Sequence, residues 1–264
     1  MKRRRSVHPP RHEQIDASDR YWVAGASAAG RRHREANANN QDAVAWLSRG
    51  DAIAVCVSDG CSALPCAEVG AHLTARRAVY SAVEWAEAHP QSLPSEAMDF
   101  VLDDVCAMIR RVASAVGGAN HADEVIADML LATMLVALAT SRGVAVFGVG
   151  DGIVSMGSDV RVLSAGRAGP GYPAYRVKAL GEAPSAQLYF VAGADDARLV
   201  TLATDGAEGL FASGTTPASR LRAEAWARET ALRSELEVLV ASAGEKAPDD
   251  LAVAILSRAP KENG

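Results

Sequence analysis

Short apolar runs bounded by turn residues open the chain, long runs at helical spacing follow, and short runs then return. Tyr21 to Ala29, Ala43 to Leu47 and Ala52 to Val57 predict strands, the last two joined through the turn-like Ser48-Arg-Gly-Asp51. From Glu68 to His89 the residues Val69, Leu73, Tyr80 and Val83 fall near helical spacing, and Pro90 ends the pattern. A second helix is expected to be capped by Ser95, to carry Val101, Val105, Met108 and Val112 on one stripe, and to close at Gly117-Gly118.

Leu130 to Ala139, Val144 to Val149, Ile153 to Met156 and Val160 to Leu163 are apolar runs punctuated by Gly, Asp and Ser, the pattern of strands joined by tight turns. Ser164 to Pro184 is rich in Gly, Pro and Tyr and predicts a surface flap. A strand at Leu199 to Thr204, a helix from Ala218 to Ala241 and a strand at Leu251 to Leu256 complete the order. Strands and helices in this order, without regular β-α-β alternation, predict an α+β fold in which helices cover antiparallel sheets. The number of sheets stays open at this point.

Composition narrows the function classes. The chain has 264 residues, 49% of them hydrophobic, which suits one large domain over residues 21–258 between a disordered basic tail at 1–20 and a C-terminal tail at 259–264. The formal net charge of −5 argues against a nucleic-acid or membrane partner. Only Met1-Lys-Arg-Arg-Arg5 is strongly basic, and it lacks the apolar run of a signal peptide. No stretch approaches the ~20 apolar residues of a membrane span, so a cytoplasmic protein is expected. Cys56, Cys61, Cys66 and Cys106 show neither zinc-site spacing nor the density of a disulfide scaffold, and reduced thiols are expected.

Candidate chemistry lies at the ends of the apolar runs. Val55-Cys-Val-Ser-Asp59-Gly60, Val146-Phe-Gly-Val-Gly-Asp151-Gly152 and Val200-Thr-Leu-Ala-Thr-Asp205-Gly206 each end in Asp-Gly. Any one of these is an ordinary turn signal. Together with Asn40-Gln41-Asp42 and Pro248-Asp249-Asp250 they put acidic groups at strand ends, where a sheet can converge them. Carboxylates packed without cationic partners call for divalent ions, and hard oxygen donors select Mg²⁺ or Mn²⁺. Two such ions activate water and neutralise a phosphoryl group, which points to phosphate-ester hydrolysis. Gly148-x-Gly150-x-Gly152 precedes a strand and is no dinucleotide fingerprint, and neither a phosphate loop nor a Gly-x-Ser-x-Gly elbow is present.

Asn40-Gln-Asp-Ala43, Val57-Ser-Asp-Gly60, Ala132-Thr133, Gly148-Val-Gly-Asp-Gly152, Leu202-Ala-Thr-Asp-Gly206 and Asp249-Asp-Leu-Ala-Val253 follow the order and approximate spacing of the metal-dependent, type-2C serine/threonine protein phosphatases. The chain resembles the bacterial branch of that family. The resemblance implies an antiparallel β-sandwich flanked by helices, with two ions and a possible third at one end of it. It implies Asp59 as the bridging carboxylate, the Gly60 carbonyl as a ligand beside it, and Asp205 and Asp249 as further ligands. Asp42 is implied as the aspartate that holds metal-bound water, and Asp128 as a ligand of the third, weaker ion. It assigns Asp151 to a hairpin and a structural role. The implied partners are a phosphoprotein substrate and a cognate serine/threonine kinase.

The chain departs from the family pattern at Gln41, Asn37 and Cys61. Gln41 stands where many members have Glu, which implies a weaker second ion. Asn37 occupies the place of a phosphate-binding arginine, leaving His33 and Arg34 as phosphate-binding candidates, with Arg31 and Arg32 as alternatives. Cys61 replaces a His that in some relatives protonates the leaving group. A non-catalytic, phosphatase-like binding module is the alternative that these departures favour.

Overall fold

In the computed structural model, residues 21–258 are described except 167–168, 179–182 and 198. Both expected tails lie outside the described residues. The strands are β1 (Tyr21–Ala28), β2 (Asp42–Arg49), β3 (Ala52–Asp59), β4 (Met134–Thr140), β5 (Gly143–Val149), β6 (Gly152–Met156), β7 (Asp159–Leu163), β8 (Gln187–Ala192), β9 (Leu199–Ala203) and β10 (Leu251–Arg258). The helices are α1 (Arg31–Ala36), α2 (Ala67–Ala88), α3 (Met98–Met129) and α4 (Glu229–Gly244).

Two five-stranded sheets form, one ordered β1-β10-β9-β6-β7 and the other β2-β3-β4-β5-β8. Every pairing is antiparallel. The period of two along each strand sorts side chains between layers. On β3, Ile53, Val55 and Val57 join Leu135, Val146, Leu202 and Ala254 between the sheets, whereas Ala54 and Cys56 face α2 and α3. Leu232, Leu236 and Val240 of α4 cover the outer face of the other sheet. The result is a helix-sheet-sheet-helix sandwich, as the resemblance implied.

Small residues set the helix spacing. The buried face of α2 carries Ala71, Ala75, Ala78 and Ala82, which lets the helix lie close on its sheet. At Gly70 a Cβ would stand 2.6 Å from the Met129 carbonyl oxygen, so the crossing of α2 with the end of α3 requires glycine.

Five expectations change. Ser95 lies inside a 3₁₀ turn, Pro94–Ala97, and α3 does not end at Gly118: the chain breaks there at φ 61°, which glycine adopts without strain, and turns helical again to Met129. Ala218 to Ala227 forms two 3₁₀ turns, Ala218–Arg220 and Ala223–Ala227, because Ala218, Leu221 and Ala225 must all reach the α4 core. The segment expected as a surface flap buries Tyr172, Pro173 and Ala174; the ring of Tyr172 is large enough to anchor irregular backbone. The strand expected from Leu130 starts at Met134, since Leu131 and Thr133 bond to the chain around Asp59 instead. Patterning did not reveal the short helix α1 or the edge strand β8.

Candidate metal centre

The register of the sandwich brings the acidic residues to one end of it. Asp42 begins β2 and Asp59 ends β3, and the pairing sets them directly opposite one another. Asp205 follows β9, Asp249 and Asp250 precede β10, and Asp151 precedes β6. Because β9 lies between β10 and β6, the three connections carrying these residues emerge at neighbouring positions.

Asp59 is the hub. Its amide donates to Thr133 Oγ1 at 2.9 Å while its carbonyl accepts from the Thr133 amide at 2.8 Å. These bonds hold the strand end while the carboxyl meets those of Asp42 and Asp205. Burial, then the charges of Asp42, Asp205 and Asp151, push the Asp59 carboxyl well above the ordinary carboxylate range. Asp42 is 2% exposed and is pushed up to about 8, first by burial and then by Asp250 and Asp205. The Thr204 hydroxyl, 2.6 Å from Asp42 Oδ2, opposes that shift. Asp205 is surface-accessible yet crowded, and desolvation and Asp249 raise its carboxyl too.

Among the described residues no Lys or Arg lies within 4.0 Å of the carboxylates of Asp42, Asp59, Asp151 or Asp205. Asp249 has Arg32 at 3.9 Å. An acidic group this crowded and this poor in cations fits divalent ions, which would supply the missing positive charge. Orphaned acceptors strengthen the fit: Gln41 Oε1 and Asp151 Oδ1 are buried without hydrogen-bond partners. The Gln41 side-chain Nε2 meanwhile donates to Leu64 O at 2.7 Å, tying down the loop after Gly60.

Asp151 contradicts the hairpin expectation. It joins β5 of one sheet to β6 of the other, is 9% exposed, and has its carboxyl raised by burial and by Asp205. Gly150 and Gly152 on either side have φ of 106° and 130°, which favours glycine and turns the crossover sharply enough to aim the carboxyl inward. A third Asp-Gly at the end of an apolar run was the available signal.

Asp250 was also missed as part of the site. It is 3% exposed and accepts from the Gly30 amide at 2.7 Å, from the Gln41 amide at 2.6 Å and from His33 Nδ1 at 2.6 Å. One nitrogen of His33 and one oxygen each of Asp249 and Asp250 lie within 4.8 Å of each other. The Asp249-Asp250 backbone is squeezed between glycines: a Cβ on Gly30 would lie 2.1 Å from Asp249 O, and one on Gly206 would lie 1.9 Å from Asp250 O.

The remaining candidates separate. Arg34 donates to the carbonyls of Ala29, Gly244 and Glu245, clasping the end of α4. Arg32 is the arginine of α1 that faces Asp249. Asn37 ends α1 at φ 52°, a left-handed position that asparagine tolerates. Gly60 packs with no room for a Cβ between Gln41 O and Ala67 O. Cys61 is half-buried and meets the Tyr172 hydroxyl. Asp128 stands exposed in the last turn of α3.

The chain is thus a helix-flanked double sheet that gathers carboxylates at one end of the sandwich. Residues 29–252 match the sequence profile of protein phosphatase 2C, and the chain belongs to that family of serine/threonine phosphatases. Solved structures with this fold include a bacterial serine phosphatase bearing an R161A mutation, at 14% identity, TM-score 0.60, with 90% of this chain and 98% of that one covered. The serine/threonine phosphatase Stp1 of Staphylococcus aureus is similar at 12% identity and TM-score 0.58, over 89% of this chain and 94% of that one. PppA of Pseudomonas aeruginosa, a regulatory component of its T6SS, is similar at 15% identity and TM-score 0.53, over 90% and 97%. No curated protein sequence matches the chain. Among the described residues no helix is long and apolar enough to cross a membrane.

Proposed function

We propose that the protein removes phosphate from phosphoserine and phosphothreonine side chains of proteins with Mn²⁺ or Mg²⁺ bound at the acidic end of the sandwich. The observation that carries this reading is the gathering of Asp42, Asp59 and Asp205 without a neutralising lysine or arginine. Asp59, the Gly60 carbonyl, Asp205 and Asp249 would hold two ions, and Asp128 a third, weaker one. Bound there, the ions supply positive charge for the phosphoryl group and a nucleophile from water at neutral pH.

The chain's own residues do the rest. Asp42, fixed through Thr204, would hold a water beside the ions. Asp250 fixes the His33 ring through Nδ1, which leaves Nε2 for a phosphate oxygen, and Arg32 supplies the exposed guanidinium on the same side. Thr133 keeps the Asp59 backbone from moving as charge changes around it. The substrate is a phosphoprotein, and a serine/threonine kinase is the enzyme class that makes it.

Phosphate release from a phosphothreonine peptide and from an aryl phosphate, each with Mn²⁺, with Mg²⁺ and with chelator, tests the proposal. Turnover that persists in chelator, or in Asp59→Asn, sinks it.

A further inference from the structure

A cleft of about 430 Å³ opens directly beside Asp205, between the 3₁₀ turn Asp205–Leu210 and the last turns of α4. Asp205 and Gly206 line one end of it and Pro248, next to Asp249, one side, so the cleft adjoins the acidic centre at Asp205. Another cleft, around Asp51 and Trp85, lies at the far end of the β2-β3 hairpin and shares no residue with that centre. The volume beside Asp205 falls within the range of ligand-binding clefts.

We propose that this cleft is a specificity subsite that receives a bulky apolar side chain flanking the phosphorylated residue of the substrate, a reading that rests on the phosphatase function proposed above. Its accessible apolar lining is Leu239, Ala243, Ala247 and Pro248, set over the buried Leu210 and Leu251. The rim carries both signs, Glu208 against Lys246 and Arg220. Arg220 is already engaged with the Gly209 carbonyl and Thr215 Oγ1. Charge therefore does not select here, and apolar area does.

The wall exists because the chain between β9 and α4 is not a helix. Arg220 pins the end of the Asp205–Leu210 turn through Gly209 O at 3.0 Å, and the space a Cβ at Gly209 would enter is open. A phosphorylated residue seated at Asp59 and Asp205 would place a neighbouring side chain at this mouth. Burying a leucine there in place of alanine favours binding by about tenfold or more.

The test is a set of phosphothreonine peptides that differ only in Leu or Ala at each position within three residues of the phosphothreonine. Expected is one position at which Leu exceeds Ala about tenfold in kcat/KM for the wild type. In Ser242→Arg, which fills the mouth from its exposed edge, and in Leu239→Arg, that ratio should fall to within twofold. A ratio measured on one enzyme preparation does not depend on how much of the variant folds. The same peptides, fluorescein-labelled and titrated by anisotropy against the chelated wild type and chelated Ser242→Arg, read the subsite even when no phosphate is released. No release from any peptide defeats the phosphatase reading. Equal binding of Leu and Ala peptides at every position, or a preference that survives both substitutions, overturns the subsite.

Discussion

Asp42 and Asp250 are both buried at the same end of the sandwich, yet their surroundings are opposite. Asp250 is met by two backbone amides and the His33 ring. Asp42 has the Thr204 hydroxyl and is otherwise faced by other acids, Asp59, Asp205 and Asp250 itself. A carboxylate with donors holds a fold together, because its charge is satisfied inside the protein. A carboxylate among carboxylates costs stability until a cation arrives. The site is thus built from two kinds of acid: a clasp that joins the α1 loop to β10, and a hub that stays uncompensated on its own.

Asp59→Asn breaks the hub and should give the largest effect, a fall in kcat/KM of about 10³-fold on a phosphothreonine peptide. Its unfolding midpoint in chelator at neutral pH should rise, since an amide removes a group that must keep its proton for the metal-free protein to fold. Asp250→Ala breaks the clasp and should do the reverse to stability, lowering it in denaturant titrations by about 3 kcal/mol with or without Mn²⁺. Asp151→Asn tests on which side of the comparison the crossover falls. Calorimetric Mn²⁺ titration should show affinity weaker by roughly tenfold, with stability in chelator not reduced.

The smallest effect is in pH. The carboxyls of Asp42, Asp59 and Asp205 are raised, so the folded, metal-free protein keeps protons that the unfolded chain gives up above about pH 4. Stability in chelator should therefore decline as pH rises from about 5 towards 8, where Asp42 releases its proton. Saturating Mn²⁺ should flatten or reverse that slope in melts followed by circular dichroism. A chelated protein that gains stability over this window would show that the hub is compensated after all.

Much of the hub was legible in the sequence, because turn chemistry and strand ends are local. Asp59-Gly60 and Asp205-Gly206 each close an apolar run, and Asp42 and Asp249 each open one. The clasp was not legible. Its partners, Gly30, His33, Gln41 and Asp250, are separated by more than two hundred residues at the extreme, and nothing near Asp250 signals an amide arriving from the other end of the chain. Asp151 was misplaced for a related reason: a glycine-flanked turn looks alike whether it joins neighbours in one sheet or crosses to the other.

Residue pattern alone determined most of the strands, the long helices, the absence of a long apolar span and the placing of acids at turn positions, since each follows from short-range periodicity and backbone preference. Tertiary structure decided which acids meet, which of them receive donors, that Arg34 serves α4 while Arg32 faces Asp249, and that the chain after Asp205 forms a cleft wall rather than a helix. Those outcomes depend on the register of distant strands and on competition for buried space. Periodicity within a segment carries no record of either.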